Sequence, residues 1–558
     1  MRVRRPARML RVQPQGQPVR RAGPGDHEFR SRALGRDGHG ACGRGSVRAA
    51  RVRADRRGGL PQLRVLAFGA VVRGAELRLL QGHAHRGGGA RGTGGVVPPG
   101  RGFHASELMI TERPTLIIEG GRIVDGLGAP PQTGDVVIAG ERIVGVGQAA
   151  TTECHAVDRI DATGMTVMPG LIDAHCHISF DEPSSNDELF FHRREGLAAI
   201  IAARNLQKVY RAGVTGILDP DSLYETSIDL RDAVEAGIVH GPRMAVGGNA
   251  LLTSVGGTAG RLLPDEGRRG YGKVVRGPEE IVAEVRRQIK NGVDWIKVHV
   301  TGLTPRQQVT GELQVWNFDE LRLVSDTAHE LDTPVVGHCR GATSIRDTAR
   351  AGFDLILHAT YMDEEALEAV VEARSPIVPT FTFQANLADH GGAVNSSPGL
   401  RDIFKREIED SAAMLKRAFA EGVPLLCGTE SGFSLTPYGD WHYRELEIFV
   451  RDLDFTPLEA IRAGTSACAR ALRLDGETGA VEAGRLADLV IVDGDPSEDV
   501  TVLADQSRIR EVMVGGRRMP LGPIEPERGD PPGWRVSTHS DRILDYDFVQ
   551  GRSGPDRT

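Results

Sequence analysis

Cysteine is scarce in this chain. Six residues in 558 (Cys42, Cys154, Cys176, Cys339, Cys427 and Cys468) are widely spaced and form no CxxC pair. That excludes the pattern of a small secreted fold held by disulfides. Nor does any apolar run reach the roughly 18 residues of a membrane helix, and neither Met1 nor Met109 opens a convincing signal peptide. A reduced, cytoplasmic setting is the simplest reading, with no membrane partner. A third absence is local: residues 1–108 contain no Lys, Ile, Asn, Tyr or Trp, yet hold 22 Arg against 6 Asp plus Glu. Apart from Trp, the missing types have AT-rich codons, whereas Arg, Gly, Ala and Pro are what GC-rich DNA yields outside a reading frame. The expectation is a misassigned start, with 1–108 a non-native or disordered extension and Met109 the true first residue. The rival reading is a basic arm for nucleic acid or an organelle. The Arg residues show no helical periodicity, which weakens it.

What remains after Met109 is acidic. The net charge is −7 for the whole chain and −23 for residues 109–558, so nucleic acid is not the expected partner. With 40% hydrophobic residues the chain can bury a large core and more than one domain.

From Pro114, short β-type runs with Gly-rich turns follow one another: TLIIEGGRIVDG, then GDVVIAGERIVGVG. The same style returns after Val481 in ADLVIVDGDP and REVMVGG, so both chain ends are expected to build one small β-sandwich, from 109–166 and 479–520. Between them eight apolar runs of strand length alternate with helical segments. They are VMPGLIDAHCHI, GVTGILDP, PRMAVGGNAL, VDWIKVHV, PVVGHCRG, DLILHAT, PIVPTFTF and VPLLCGTES. PEEIVAEVRRQIKNG and NFDELRLVSDTAHELD have the acidic starts and three-to-four spacing of amphipathic helices. The predicted fold class is therefore α/β, a (β/α)8 TIM-like barrel over 167–478, followed by a tail at 521–558. Such a barrel keeps its chemistry at the C-terminal ends of its strands.

Polar residues stand at those ends. His175 and His177, two apart, share a strand face and can grip one divalent ion. Strand four ends at Lys297, five at His338, six at His358 and eight at Glu430. His338 or His358 alone is more simply a hydrogen-bonded core residue, the rival reading of Lys297 is a plain salt bridge, and the His175–His177 pair alone could be chance spacing; their convergence favours a metal centre. A buried lysine can also take up CO2, giving a carbamate able to bridge two cations. Arg340, on the face of His338, could hold a carboxylate or a polarised carbonyl. His299 shares the face of Lys297 and could contact substrate or a carboxylate that supports the ligands. Trp441 and His442 are placed near the mouth without a chemical role.

These residues resemble the amidohydrolase superfamily of metal-dependent hydrolases. PGLIDAHCHI is similar to its first-strand signature, GTES stands where it has Gly-Thr-Asp, and GAVEAGRLADLVIVDGDP is similar to its C-terminal sheet. WIKV, HCRG, LHATYMDEEAL and RELEIFVRDLDFTPLEAIRAGT most resemble the imidazolonepropionase-like branch, which includes Xaa-Pro and Xaa-Arg dipeptidases. The resemblance implies two divalent ions, zinc with cobalt or manganese as alternatives. His175 and His177 would hold one, His338 and His358 the other, and carboxylated Lys297 would bridge them. It also implies homo-oligomers. Three departures fall in the pocket: Glu430 replaces the usual Asp, Arg340 replaces a second His, and Thr258 stands where relatives often place a His. They imply a substrate other than the branch's usual dipeptide.

The expected function is hydrolysis of an amide, peptide, carbamate or urea C–N bond in a small molecule, by metal-activated hydroxide. Glu430 is the expected acid-base group, with the second ion, or His299 and Arg340, stabilising the oxyanion. Deamination or cyclic-amide opening is the alternative on the same scaffold. A non-catalytic small-molecule-binding barrel is the reading from outside the enzymes.

Overall fold

A computed structural model of the chain describes residues 114–147, 157–183, 194–255, 270–303, 312–525 and 544–552. Residues 1–108, Met109 and Thr258 lie outside the described residues, so the expectations attached to them stay with the sequence.

The two chain ends do join. Arg517–Arg518, Ile509–Val514, Leu489–Val492, Thr166–Pro169, Leu116–Ile123, Gln132–Ala139 and Arg142–Gly147 lie side by side in that order. Asp158–Asp161 pairs parallel to Leu116–Ile123. The seam is Leu489–Val492 against Thr166–Pro169, antiparallel, which ties the C-terminal run to the strand that feeds the barrel. Ile118, Ile138, Val167, Leu489 and Met513 form an apolar cluster of this sheet's own. The hydrogen-bonded ladder is one eight-stranded mixed sheet, so it does not by itself make the two-layered sandwich expected from sequence.

The middle of the chain is a TIM-barrel-like α/β fold. Leu171–Asp173, Val214–Asp219 and Arg243–Val246 form one parallel sheet. Ala250–Leu252, Ile296–His299, Val335–Cys339, Leu355–His358 and Ile377–Val378 run parallel in another. Nearly every residue of these strands is buried, as parallel strands covered on both faces must be. Among the described residues no continuous ladder closes the ring; a single parallel bridge, Gly247 to Trp295, links the two sheets, and the bridges Ile377 to Leu425 and Cys176 to Ser431 join the eighth run to its neighbours. The expected eighth strand, Val423–Ser431, forms no regular strand. It is held between its neighbours by Leu426 N–H to Ile377 C=O (2.9 Å) and Ala174 N–H to Cys427 C=O (3.0 Å). Gly428 has to be glycine here, because a Cβ would lie 2.9 Å from the backbone nitrogen of His175.

The connecting helices start where their sequences say they should. Pro278–Asn291 has Pro at its first turn with Glu279 and Glu280 beside it, and ends at Gly292 with φ +95°. Phe318–His329 opens on a capping box of Asn317 and Glu320. Each turns an apolar face, Ile281 and Val285 or Leu321 and Val324, onto the strands. None of the described helices is long and apolar enough to cross a membrane. Cys176, Cys339, Cys427 and Cys468 are buried free thiols.

Candidate metal centre

The expected strand-end residues do converge. The ring of His175 lies 4.9 Å from that of His177 and 5.4 Å from that of His358, and His338 lies 4.4 Å from His358. Within this cluster, ligand atoms of His175, His358 and Glu430 all lie within 4.8 Å of one another.

His175 is held in one tautomer. The hydroxyl of Thr380 donates to Val378 C=O (3.2 Å), so its oxygen accepts from Nδ1 of His175 at 3.0 Å. Nε2 of His175 is left buried with a lone pair and no partner, and Nε2 of His358 is equally unpartnered. Burial, with the Lys297 charge adding to it, keeps His175 well below the usual imidazole range, and burial with His338 does the same for His358. Neutral imidazoles with bare buried nitrogens are what a divalent cation needs, so these residues fit a metal. The backbone is strained at the same points: His358, Thr380 and Glu430 have φ of +70°, +58° and +55°. Glu430 is tied to the first strand by its N–H to His175 C=O (2.6 Å). Burial raises its carboxyl to about 7, against the pull of Lys297 and Arg340.

The other expected ligands face carboxylates that sequence reasoning missed. Asp221, fully buried, lies 3.3 Å from Nδ1 of His177 and 3.7 Å from Nζ of Lys297, and its other oxygen lies 3.2 Å from Nε2 of His299. Burial alone would raise Asp221, but Lys297 and His177 outweigh it and hold the carboxyl well below its usual range. Nε2 of His338 lies 3.1 Å from Glu312, which also accepts from Thr301 (2.9 Å). Glu312 is held at about 2: burial opposes ionisation, and the bond to His338 overcomes it. Asp221 had a signal, since it stands two residues beyond Asp219, the same spacing that singles out His175 and His177. Glu312 had none in its local sequence.

Two expected substrate contacts are already engaged. Arg340 donates to Glu407 (2.7 Å), which accepts from Tyr361 (2.6 Å) as well. His299 contacts the Tyr271 hydroxyl at 2.7 Å through the same Nε2 that faces Asp221. Trp441 and His442, placed near the mouth from sequence, are buried instead. His442 lies 2.8 Å from Asp173, which also accepts from the backbone N–H of His175 and of Thr429, 3.0 Å each. His442 thus fixes strands one and eight together from behind.

The family model described as "Amidohydrolase family" matches residues 166–519, nearly two thirds of the chain and the whole of this cluster. The chain belongs to the amidohydrolase family. It is a hydrolase of carbon–nitrogen bonds. Among curated proteins this amidohydrolase is 26% identical over 430 residues to an ochratoxinase of Aspergillus niger, covering 73% of the chain and 87% of the relative. Among solved structures it resembles a prolidase complexed with N-methylphosphonate-L-proline, at 28% identity and TM-score 0.64, covering 72% of this chain and 99% of that one. A Xaa-Pro dipeptidase with methionine bound in its active site gives 27% identity, the same TM-score and the same coverage.

Proposed function

We propose that this amidohydrolase cleaves an amide-type C–N bond in a small molecule at a two-cation site, with Glu430 as its acid-base group. The observation that carries the proposal is the pair of bare, buried Nε2 atoms on His175 and His358 grouped with the Glu430 carboxylate. His175 and His177 would hold one ion and His338 and His358 the other, zinc first and cobalt or manganese as alternatives. Lys297, 1% exposed, would bridge them as a carbamate. Carboxylation would set a second anion beside Asp221, which only bound cations could offset. When bound, such ions acidify water and polarise a carbonyl.

The chain's own residues do the rest. Glu430 takes the proton of the attacking water and delivers it to the leaving nitrogen. Arg340 spends one donor on Glu407 and keeps others in its fork to orient the substrate. His299, sharing its Nε2 between Tyr271 and Asp221, is assigned a positioning role rather than direct oxyanion contact. Beside the cluster, Phe433 lies edge-on to His177 (6.1 Å) and to Phe383 (5.8 Å). Both phenylalanines are only partly buried, which suits a flat apolar substituent on the substrate. The likeness to an ochratoxinase and to a prolidase bound to a proline phosphonate supports an amide or dipeptide-type scissile bond.

Zinc-reconstituted protein assayed against dipeptides, N-acyl amino acids, carbamates and phenylureas tests the proposal. Turnover in one of these classes, lost on chelation and restored by zinc, is the expected result. Release of ammonia from an amino-heterocycle with no turnover of that panel would favour a deaminase instead.

A further inference from the structure

The loop that follows Glu430 runs from Ser431 to Tyr443 with little regular structure, yet it bonds to both Glu430 and His177. His177 N–H donates to Ser431 C=O (2.7 Å), and the Thr436 hydroxyl donates to Glu430 C=O (2.9 Å). The Tyr438 hydroxyl donates to His177 C=O and accepts from Asp181 N–H. Phe433 packs against the rings of His177 and Phe180. Besides Glu182, Asn386 and Gln506, which bond to Tyr438 N–H, Leu435 C=O and Gly439 C=O, a piece of chain more than a hundred residues later holds this loop from outside. Leu544, fully buried, donates its N–H to Ser434 C=O (3.0 Å), and its carbonyl accepts the indole N–H of Trp441 (2.8 Å). The Tyr546 ring then meets Trp441 and Tyr443 edge-on, at 5.9 and 6.1 Å. The segment continues as the four-residue helix Tyr546–Val549, capped by its own Asp545. A helix that short does not persist alone in water, so docking gives it its order.

We propose that the C-terminal segment Leu544–Val549 is a positioning strap that fixes the loop Ser431–Tyr443 and, through it, Glu430 and His177. Without it, the Ser434 carbonyl and the Trp441 indole lose their partners and the faces of Trp441 and Tyr443 open to water. A loop with fewer buried contacts opens more often, and the carboxylate at its root loses the fixed placement that catalysis requires. The strap rests on the reading of Glu430 as a site residue only for its effect on turnover; its effect on the loop stands apart from that reading.

The test is amide hydrogen exchange and steady-state kinetics on the zinc-loaded protein, for the full chain, a chain ended after Arg542, and the full-length variants Trp441→Phe and Tyr546→Ala. The truncated chain should still unfold cooperatively. Exchange at Gly432–Ser434 and Trp441–Tyr443 should rise by about tenfold or more, the scale of one or two lost buried hydrogen bonds. In parallel, kcat should fall about tenfold with KM changed far less, and a peptide spanning residues 543–552 should restore both. Should truncation itself prevent folding, the two point variants should show the same loop-specific rise in exchange. Unchanged exchange in this loop for the truncated chain and for both point variants would overturn the proposal, as would a drop in kcat that the peptide cannot reverse. If the full chain hydrolyses no amide but the loop still loosens on truncation, the strap stands and the proposed reaction falls.

Discussion

The two sides of the candidate metal centre are prepared in different ways. On one side His175 and His358 keep bare, buried nitrogens next to Glu430; the bond to Thr380 fixes the ring of His175, and the left-handed backbone of His358 and Glu430 sets where their side chains start. On the other, His177, Lys297 and His338 already meet Asp221 or Glu312. The first side leaves bare acceptor nitrogens that suit a cation. The second is partly compensated: Lys297 faces Asp221, although one oxygen of Asp221 is itself without a hydrogen-bond partner. Substitutions should therefore separate the two sides by how they fail.

The largest effect is expected on the uncompensated side. His175→Ala and His358→Ala should each cost activity more than the about 100-fold that loss of a supporting residue costs, with metal lost from the protein and little change in thermal midpoint against metal-free wild type. Elemental analysis beside activity checks this; full metal retention in both variants would place the ion elsewhere. Next comes Asp221→Asn. It leaves Lys297 buried without its carboxylate partner, so the metal-free protein should lose about 3 kcal/mol, the scale for breaking one partner of a buried pair. Urea unfolding of metal-free protein measures it, and a variant as stable as wild type would show that Asp221 does not balance the lysine. Glu312→Gln is milder. It should lower metal affinity or activity by about 10- to 100-fold, because it acts only through His338.

The smallest effect is in the scaffold behind Thr380. Glu445 accepts from the N–H groups of Phe381 and Thr382, 2.9 Å each, yet burial raises its carboxyl to about 8. Between the unfolded value near about 4.3 and that raised value, the folded chain holds a proton that the unfolded chain has released. The stabilisation is complete below the unfolded value and is lost as pH rises through about 8. Thermal midpoints of wild type and Glu445→Gln, compared from about pH 5 to pH 8, should therefore converge as pH rises if the variant is the less stable at low pH. Parallel curves would remove Glu445 from this account.

These contrasts also mark what the sequence could reveal. His175, His177, Lys297, His338, His358 and Glu430 were legible because each ends an apolar run, and a barrel turns strand ends into one site. The alternating helices were legible from their caps and periodicity. Partners from distant segments were not: Glu407 reaches Arg340 from a helix 67 residues on, and Leu544 meets Trp441 across 103 residues. No local pattern encodes such pairs. The departures at Glu430 and Arg340 were visible as substitutions, but only the structure shows that Arg340 already has an acidic partner.

The account turns on Glu430 acting at a metal centre, and one paired measurement tests it most directly: metal content and kcat of wild type and Glu430→Gln on the same amide substrate. The account predicts a folded variant with most of its metal and a kcat lowered by about 10²-fold or more. A variant that binds metal and turns over at the wild-type rate would contradict it.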